Sequence, residues 1–307
     1  MVNSIHELRR ALGRGGPLVG DGAWGTQLIR LGMAAGECPE RWNLDRPEVI
    51  AAIARAYAEA GAQIVETNSF GGNRLKLAHY GLAERCEEIN IAAARLSREG
   101  AGPDRWIAGS VGPTGRLLLM EDTTEQELEQ VFGEQVSALA RGGADAICVE
   151  TMSATDEAAM AVRAARAHTA CVVFCTFVFE PTAQGDFRTM MGIGPEQAAA
   201  AVLEAGADVI GANCGRGSAY MTKVIRRLRA AHPGVPILVQ ANAGVPRTGA
   251  DGVPVFPETP EEMAARVPEW LEAGATIVGG CCGTTPDHIR AIRAAVEAMR
   301  LDRDSTG

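Results

Sequence analysis

The stretch Ile277-Val278-Gly279-Gly280-Cys281-Cys282-Gly283-Thr284-Thr285-Pro286-Asp287-His288 decides the predicted fold. An apolar run leads into two adjacent cysteines, and Thr285 and Pro286 then supply an N-cap and a first-turn proline for a helix that runs to about Arg300. The cysteines therefore follow a strand and face a loop. Neighbouring strand residues point to opposite sides, so both thiols reach one site only if the backbone turns, which the flanking glycines permit.

A second apolar run of this kind, Val209-Ile210-Gly211-Ala212-Asn213-Cys214-Gly215, also ends in a cysteine. Three cysteines at two strand ends are typical of zinc with an open coordination position. None of the five histidines stands at a predicted strand end, so an all-histidine metal site is not expected. The alternatives are a vicinal disulfide, unrelated buried thiols, and a structural zinc, which needs a fourth ligand that the predicted strand ends do not provide.

Small-residue turns such as Gly143-Ala144-Asp145 end a helix before four of the predicted strands. Four further strands are predicted that lack this turn before them. The eight predicted strands lie at 17–22, 64–68, 106–110, 146–151, 171–176, 209–214, 237–242 and 277–282. Helical patterns fill the intervals at 47–59, 84–99, 125–141, 156–167, 195–205, 220–231, 259–273 and 286–299. This alternation predicts an α/β fold, a single (β/α)8 TIM barrel. An open doubly wound sheet is the alternative, but no G-x-G-x-x-G follows the first strand.

One domain accounts for all 307 residues, 1–307, with a short helix within residues 1–16 and a polar tail after Leu301. The net charge of −9 and the lack of a basic run argue against a nucleic-acid surface, so the expected partner is a small molecule. Neither a signal segment nor a run of about 18 apolar residues is found, and a cytoplasmic protein is expected. Eight cysteines are too few for a disulfide scaffold in so long a chain.

A polar, acidic and thiol-rich set of residues follows the predicted strands, where the chemistry of such a barrel lies. Asp21 and Glu150 are ionised near pH 7 in the absence of strong burial, and they can bind the ammonium group of an amino-acid thiol. Backbone N–H groups of the turn at 20–23 can bind its carboxylate. A cap and a rim ion pair are the structural alternatives for the two acids. The candidate substrate contacts are Asp21, Gly22, Ala23, Glu66, Thr67, Asn68, Glu150, Asn213 and Asn242.

Three thiolates on Zn²⁺ give a centre with a net charge of −1, which is a poor Lewis acid for water. Such a centre holds a substrate thiol deprotonated near neutral pH and leaves its sulfur electron-rich enough to attack carbon. The pattern therefore favours alkylation of a thiol.

Six motifs of this chain resemble the homocysteine S-methyltransferase family, over about residues 18–298: Asp21-Gly22-Ala23-Trp24-Gly25-Thr26, Glu66-Thr67-Asn68-Ser69-Phe70, Gly109-Ser110-Val111-Gly112-Pro113-Thr114, Gly211-Ala212-Asn213-Cys214, Asn242-Ala243-Gly244 and Gly279-Gly280-Cys281-Cys282-Gly283-Thr284-Thr285-Pro286. That family includes betaine–homocysteine methyltransferases and the homocysteine domain of cobalamin-dependent methionine synthase. The resemblance implies a zinc barrel that methylates L-homocysteine to L-methionine. It also implies catalytic zinc ligands Cys214, Cys281 and Cys282, amino-group contacts from Asp21 and Glu150, and a carboxylate contact from the Ala23 N–H.

The resemblance leaves the methyl donor open between two classes. Gly71 and Thr151 stand where animal-type betaine enzymes have tyrosines, and Trp42 and Phe70 substitute only in part. Residues 36–43, 68–73 and 189–192 look like bacterial proteins labelled betaine–homocysteine methyltransferases, which favours a small onium donor, betaine or S-methylmethionine. We see no cobalamin-binding or folate-binding domain after the barrel in this sequence, so a methyl-corrinoid donor is expected to need a separate corrinoid protein. Barrels of this family often form homo-oligomers.

Other functions compete with this interpretation. A Schiff-base aldolase lacks its nucleophile, because the two lysines, Lys76 and Lys223, lie away from the predicted strand ends. A non-catalytic protein that binds zinc and thiols remains an alternative, as does a methyltransferase with a different thiol acceptor.

Overall fold

Eight parallel strands form a ring in the computed structural model, which describes residues 5–14, 16–116, 118–249 and 254–305. The first strand pairs with the eighth, with Leu18 opposite Ile277, and a bridge between Gly20 and Ile64 joins the first strand to the second. These two contacts close the ring, so the predicted (β/α)8 barrel is confirmed. In chain order the strands are Leu18–Val19, Ile64–Glu66, Trp106–Val111, Ala146–Met152, Val172–Phe177, Val209–Cys214, Ile237–Ala241 and Ile277–Gly280.

Helices cover the outside of the ring. The long ones are Pro47–Glu59, Cys86–Ala101, Glu125–Arg141, Thr155–His168, Pro195–Glu204, Ser218–Ala231 and Pro286–Ser305. Shorter α-helices lie at Ile5–Gly13, Gly25–Arg30, Trp42–Asp45, Arg74–Ala78, Pro260–Ala264 and Val267–Glu272, and 3-10 turns at Pro39–Arg41, Ala83–Arg85 and Leu118–Met120. Two ribbons extend from loops after the fifth and seventh strands: Glu180–Pro181 with Phe187–Arg188, and Arg247–Thr248 with Pro254–Val255.

Two of the predicted helix boundaries are wrong. The single helix predicted at 259–273 is two helices, because the nitrogen of Pro268 carries no proton and its ring excludes the carbonyl of the preceding turn. The first of these helices begins at a capping box, in which the side chains of Thr259 and Glu262 each bond to the other's backbone N–H. Residues 302–305, predicted as a polar tail, continue the last helix to Ser305. Residues 1–4 of the predicted amino-terminal segment lie outside the described residues.

The inner face of the barrel is apolar at one end and polar at the other. Strand residues two apart share a face, so Cys148 and Glu150 both point inward, as do Leu238 and Gln240. The apolar members of these pairs pack in one buried cluster with Leu8 and Leu12 of the amino-terminal helix, which closes the bottom of the barrel. The polar members lie above them at the carboxyl ends of the strands.

No helix in the described ranges has the length and apolar character needed to span a bilayer.

Candidate metal and substrate site

Three thiols meet at the carboxyl end of the barrel, as the sequence predicts. The sulfur atoms of Cys214, Cys281 and Cys282 all lie within 4.8 Å of one another, and those of Cys214 and Cys282 are 4.0 Å apart. All three residues are partly exposed, so the group is open to a ligand from one side. Hydrogen bonds from the thiols of Cys281 and Cys282 lower the pKa of Cys214 to about 3, because they stabilise its thiolate.

The three thiols converge because the backbone leaves the strand conformation at the cysteines. Cys214 has a φ of 62°, which breaks the strand alternation directly after the buried Asn213. The eighth strand ends at Gly280, so Cys281 and Cys282 lie in a turn, and Gly283 follows with a φ of 81°. The predicted turn between the two adjacent cysteines is therefore present.

Three carboxyl groups line the interior beside the thiols: Asp21, Glu66 and Glu150. Asp21 accepts hydrogen bonds at Oδ2 from the Glu66 N–H at 2.8 Å and from Trp24 Nε1 at 3.0 Å, whereas its buried Oδ1 has no partner among the described residues. Glu150 accepts from the hydroxyl of Ser110 and from Asn213 Nδ2, the latter at 3.3 Å. An unpartnered buried carboxylate oxygen is the acceptor that a cationic ligand would fill.

Burial changes the protonation of these acids. Desolvation raises the pKa of Asp21 to about 7 and that of Glu66 to about 8, and it raises the pKa of Glu150 well above its ordinary value. The expectation that Asp21 and Glu150 are ionised near pH 7 assumed that they are not strongly buried, and the structure buries both. An arriving ammonium group would therefore displace protons from this cluster.

We expect the free energy of unfolding to fall as the pH rises from about 4.5 to 8, because folded Glu66 keeps a proton that the unfolded chain loses. One such group contributes at most about 1.4 kcal/mol per pH unit. Glu66→Gln mimics the neutral acid and should flatten this part of the curve. The test is urea unfolding of both proteins with a chelator present between pH 5 and 8.5. Parallel curves for the two proteins would contradict the prediction.

The other predicted contacts divide into two groups. Thr67 and Asn68 shape the loop after the second strand, since Thr67 Oγ1 accepts from the Ser110 N–H at 3.0 Å and Asn68 Nδ2 donates to the Pro39 carbonyl at 2.7 Å. Asn242 and Asn213 lie at the site itself. Asn242 Nδ2 donates to the Gly215 carbonyl at 2.7 Å, and its buried Oδ1 has no partner within the described ranges.

Thr284 and Tyr57 connect the turn at Gly22 and Ala23 to the cysteines, although sequence reasoning missed both. The Ala23 N–H donates to Thr284 Oγ1 at 3.1 Å, and that hydroxyl donates to the Cys281 carbonyl at 2.8 Å. Tyr57 donates to the Ala23 carbonyl at 2.6 Å. A Cβ on Gly22 would lie 2.6 Å from Thr284 Oγ1, so only glycine fits this contact. The Ala23 N–H expected to meet a substrate carboxylate is thus engaged by Thr284.

Gln240 is a further residue of the site that was not predicted from the sequence. It donates to Glu66 Oε1 at 2.9 Å across the barrel interior. The alternation of Leu238, Gln240 and Asn242 along the seventh strand is the signal that could have identified it.

Trp42 and Phe70, the two aromatic residues expected to contact an onium donor, each lie against a positively charged side chain of this protein. The Arg46 guanidinium lies 4.7 Å from the ring centroid of Trp42, and Lys76 Nζ lies 5.0 Å from that of Phe70. Trp42 is also buried, and its Nε1 donates to Glu37 at 3.2 Å. One face of each ring is therefore already occupied by a cation, which leaves less aromatic surface for a quaternary ammonium.

The family model described as homocysteine S-methyltransferase matches residues 18–296, nearly the whole barrel with its cysteine turn. The chain belongs to the homocysteine S-methyltransferase family. The resemblance noted from the motifs is therefore confirmed.

Among similar proteins, methionine synthase from Mycobacterium leprae is 36% identical in an alignment of 293 residues, and the match covers 91% of this chain. Methionine synthase from Mycobacterium tuberculosis is 38% identical in an alignment of 303 residues, and the match covers 92% of this chain. The chain spans only 24% and 25% of the length of these two relatives.

Solved structures agree on the fold. The metallated homocysteine methyltransferase MmuM from Escherichia coli superposes with a TM-score of 0.76 at 24% identity, covering 94% of this chain and 99% of its own. A methyltransferase from Methanosarcina mazei gives a TM-score of 0.64 at 13% identity, covering 97% and 99%. At these identities the likeness establishes the barrel alone.

Proposed function

We propose that this chain is a zinc-dependent homocysteine S-methyltransferase that gives L-methionine. The observation that carries the proposal is the position of three partly exposed thiols beside a cluster of buried acids. Family membership supports the acceptor, and the proposal adds the metal, the roles of the residues and the donor. We treat residues 1–307 as one homocysteine-binding barrel domain.

The cysteines fit zinc. Zinc–sulfur bonds of about 2.3 Å in a tetrahedral centre separate the sulfurs by about 3.8 Å, close to the 4.0 Å between Cys214 and Cys282. With Cys281 they supply three thiolates, and the exposed side leaves a fourth position for substrate. When bound, zinc would keep the homocysteine thiol deprotonated near neutral pH.

The acids fit the amino group of homocysteine. Oδ1 of Asp21, which has no partner among the described residues, would accept one ammonium proton and Glu150 another, and the gained ion pairs would offset the desolvation that raises the pKa of both acids. This arrangement fixes the substrate at two points, its ammonium and its sulfur. Restricting the substrate in this way places the sulfur for in-line attack on a methyl group.

The donor has two candidate classes. The sequence motifs favour a small onium donor, but Arg46 occupies one face of Trp42 and Lys76 one face of Phe70. The relatives named methionine synthase favour the second class, a methyl-corrinoid donor, because the motifs also resemble the homocysteine domain of cobalamin-dependent methionine synthase. We therefore place the methyl-corrinoid first and keep the onium donor as the alternative.

The assay that tests the proposal supplies zinc-loaded protein with L-homocysteine and, separately, glycine betaine, S-methylmethionine or methylcobalamin, and it detects methionine. We expect turnover with methylcobalamin and little with either onium compound. Turnover with betaine alone would reverse the donor assignment. If zinc and homocysteine bind but no donor reacts, the result would support a non-catalytic thiol-binding protein.

A further inference from the structure

The side chain of Asn213, which is 1% exposed, has an orientation fixed by its neighbours. Its Oδ1 accepts from the Thr151 N–H at 2.9 Å and from Thr176 Oγ1 at 2.8 Å. A backbone N–H can only donate, so the atom that it meets must be the amide oxygen. The amide nitrogen therefore points to the opposite side, toward the metal and substrate site.

That nitrogen has two protons and three acceptors. It lies 2.7 Å from Thr151 Oγ1, 3.3 Å from Glu150 Oε2 and 3.9 Å from Cys281 Sγ. The short contact uses one proton, so the other is shared by the Glu150 carboxyl group and the Cys281 sulfur. A single N–H of Asn213 thus bridges Glu150, which is proposed to bind the ammonium, and the sulfur of Cys281, which is proposed to bind the metal.

The backbone around this contact is strained. Thr151 and Cys214, which directly follow Glu150 and Asn213, have φ values of 61° and 62°, in the left-handed region that a β-branched threonine rarely adopts. The fourth strand also shifts its register between Val149 and Met152. Asn213 bonds both the N–H and the hydroxyl of Thr151, so its side chain holds this strained turn in place.

We propose that Asn213 is a positioning residue that sets the distance between Glu150 and the sulfur ligands, and that it thereby selects homocysteine over cysteine. Cysteine carries the same ammonium and thiol groups but is shorter by one methylene. A site that fixes both ends of its ligand discriminates by length, and one methylene is worth about tenfold or more in such pockets. This inference rests on the proposed function, because it takes the ammonium and sulfur subsites from it.

The experiment measures the binding of L-homocysteine and L-cysteine to zinc-loaded protein by anaerobic calorimetry, with zinc affinity from chelator competition. Asn213→Asp keeps the size of the side chain and its acceptor but removes both protons. Asn213→Ala removes the whole amide. Asn73→Ala is the matched control, since Asn73 is also fully buried and its Oδ1 caps the helix Arg74–Ala78 by accepting from the Lys76 N–H. Thermal unfolding of each variant reports any general loss of stability.

We expect wild type to prefer homocysteine by about tenfold or more, and both Asn213 variants to lower that ratio to within about threefold. The ratio cancels effects of the added aspartate charge, because the two ligands share their charged groups. Asn73→Ala should lose stability and keep the ratio. An unchanged ratio in both Asn213 variants would overturn the inference. A wild-type protein that binds neither zinc nor homocysteine would instead refute the proposed function itself.

Discussion

Cys281→Ser is expected to abolish both zinc binding and methyl transfer while the barrel stays folded. A serine hydroxyl does not ionise near neutral pH, so the substitution leaves two thiolates for a metal that needs three protein ligands. We expect the zinc content to fall from one ion per chain to about a tenth or less, and the rate to fall by about a thousandfold or more. Cys281 is partly exposed and follows the last strand, so the two metal-free proteins, compared with a chelator present, should differ in stability by no more than about 0.5 kcal/mol.

Cys171→Ser is the matched control for this experiment. Cys171 precedes the fifth strand at the opposite end of the barrel, where its Sγ donates to the Ala144 carbonyl at 3.2 Å, a bond that serine can also make. Metal analysis, circular dichroism and the methyl-transfer assay on both variants complete the test. Wild-type zinc content in Cys281→Ser would refute its role as a ligand, and loss of zinc in Cys171→Ser would show that the measurement reports on folding.

The sequence predicted the barrel well where local signals were strong. The helices Pro47–Glu59 and Glu125–Arg141 match their predicted bounds, because a first-turn proline and a capping Thr124 define where they start. The prediction of one helix at 259–273 was wrong because the apolar spacing continues through Pro268. Hydrophobic periodicity carries no information about the N–H that proline lacks. The two short ribbons were missed because two-residue strands leave almost no alternation to detect.

The parts of the site that depend only on residue type and on position at a strand end could be predicted from the sequence. Cysteines and acids at strand ends must meet at one end of a parallel barrel, whatever the details of packing. The contact between Ala23 and Thr284 joins residues 261 apart in sequence, and only the closed ring brings them together. The raised pKa values of Asp21 and Glu66 could not be predicted from the sequence either, since they depend on burial by the whole fold.

Asp21→Asn is the second substitution for which a large effect is expected, and its geometry makes the outcome specific. The asparagine oxygen can still accept from the Glu66 N–H and from Trp24 Nε1, so the local hydrogen bonds persist. The new NH₂ group then stands where Oδ1 has no partner among the described residues, and it presents protons to the substrate ammonium. Removing one member of a buried ion pair costs about 2–5 kcal/mol, so homocysteine affinity should fall by about a hundredfold.

A homocysteine analogue without the amino group, 4-mercaptobutanoate, separates this effect from damage to the site. At pH 8, above the pKa of about 7 for Asp21, the wild-type carboxyl is ionised and should discriminate strongly between the two thiols. In Asp21→Asn the analogue should bind within about threefold of wild type, and zinc content should not change, because the substitution removes only the partner of the ammonium. Equal losses for both ligands would mean that Asp21 supports the turn at 20–23 and the loop of Trp24, and that the ammonium is bound elsewhere.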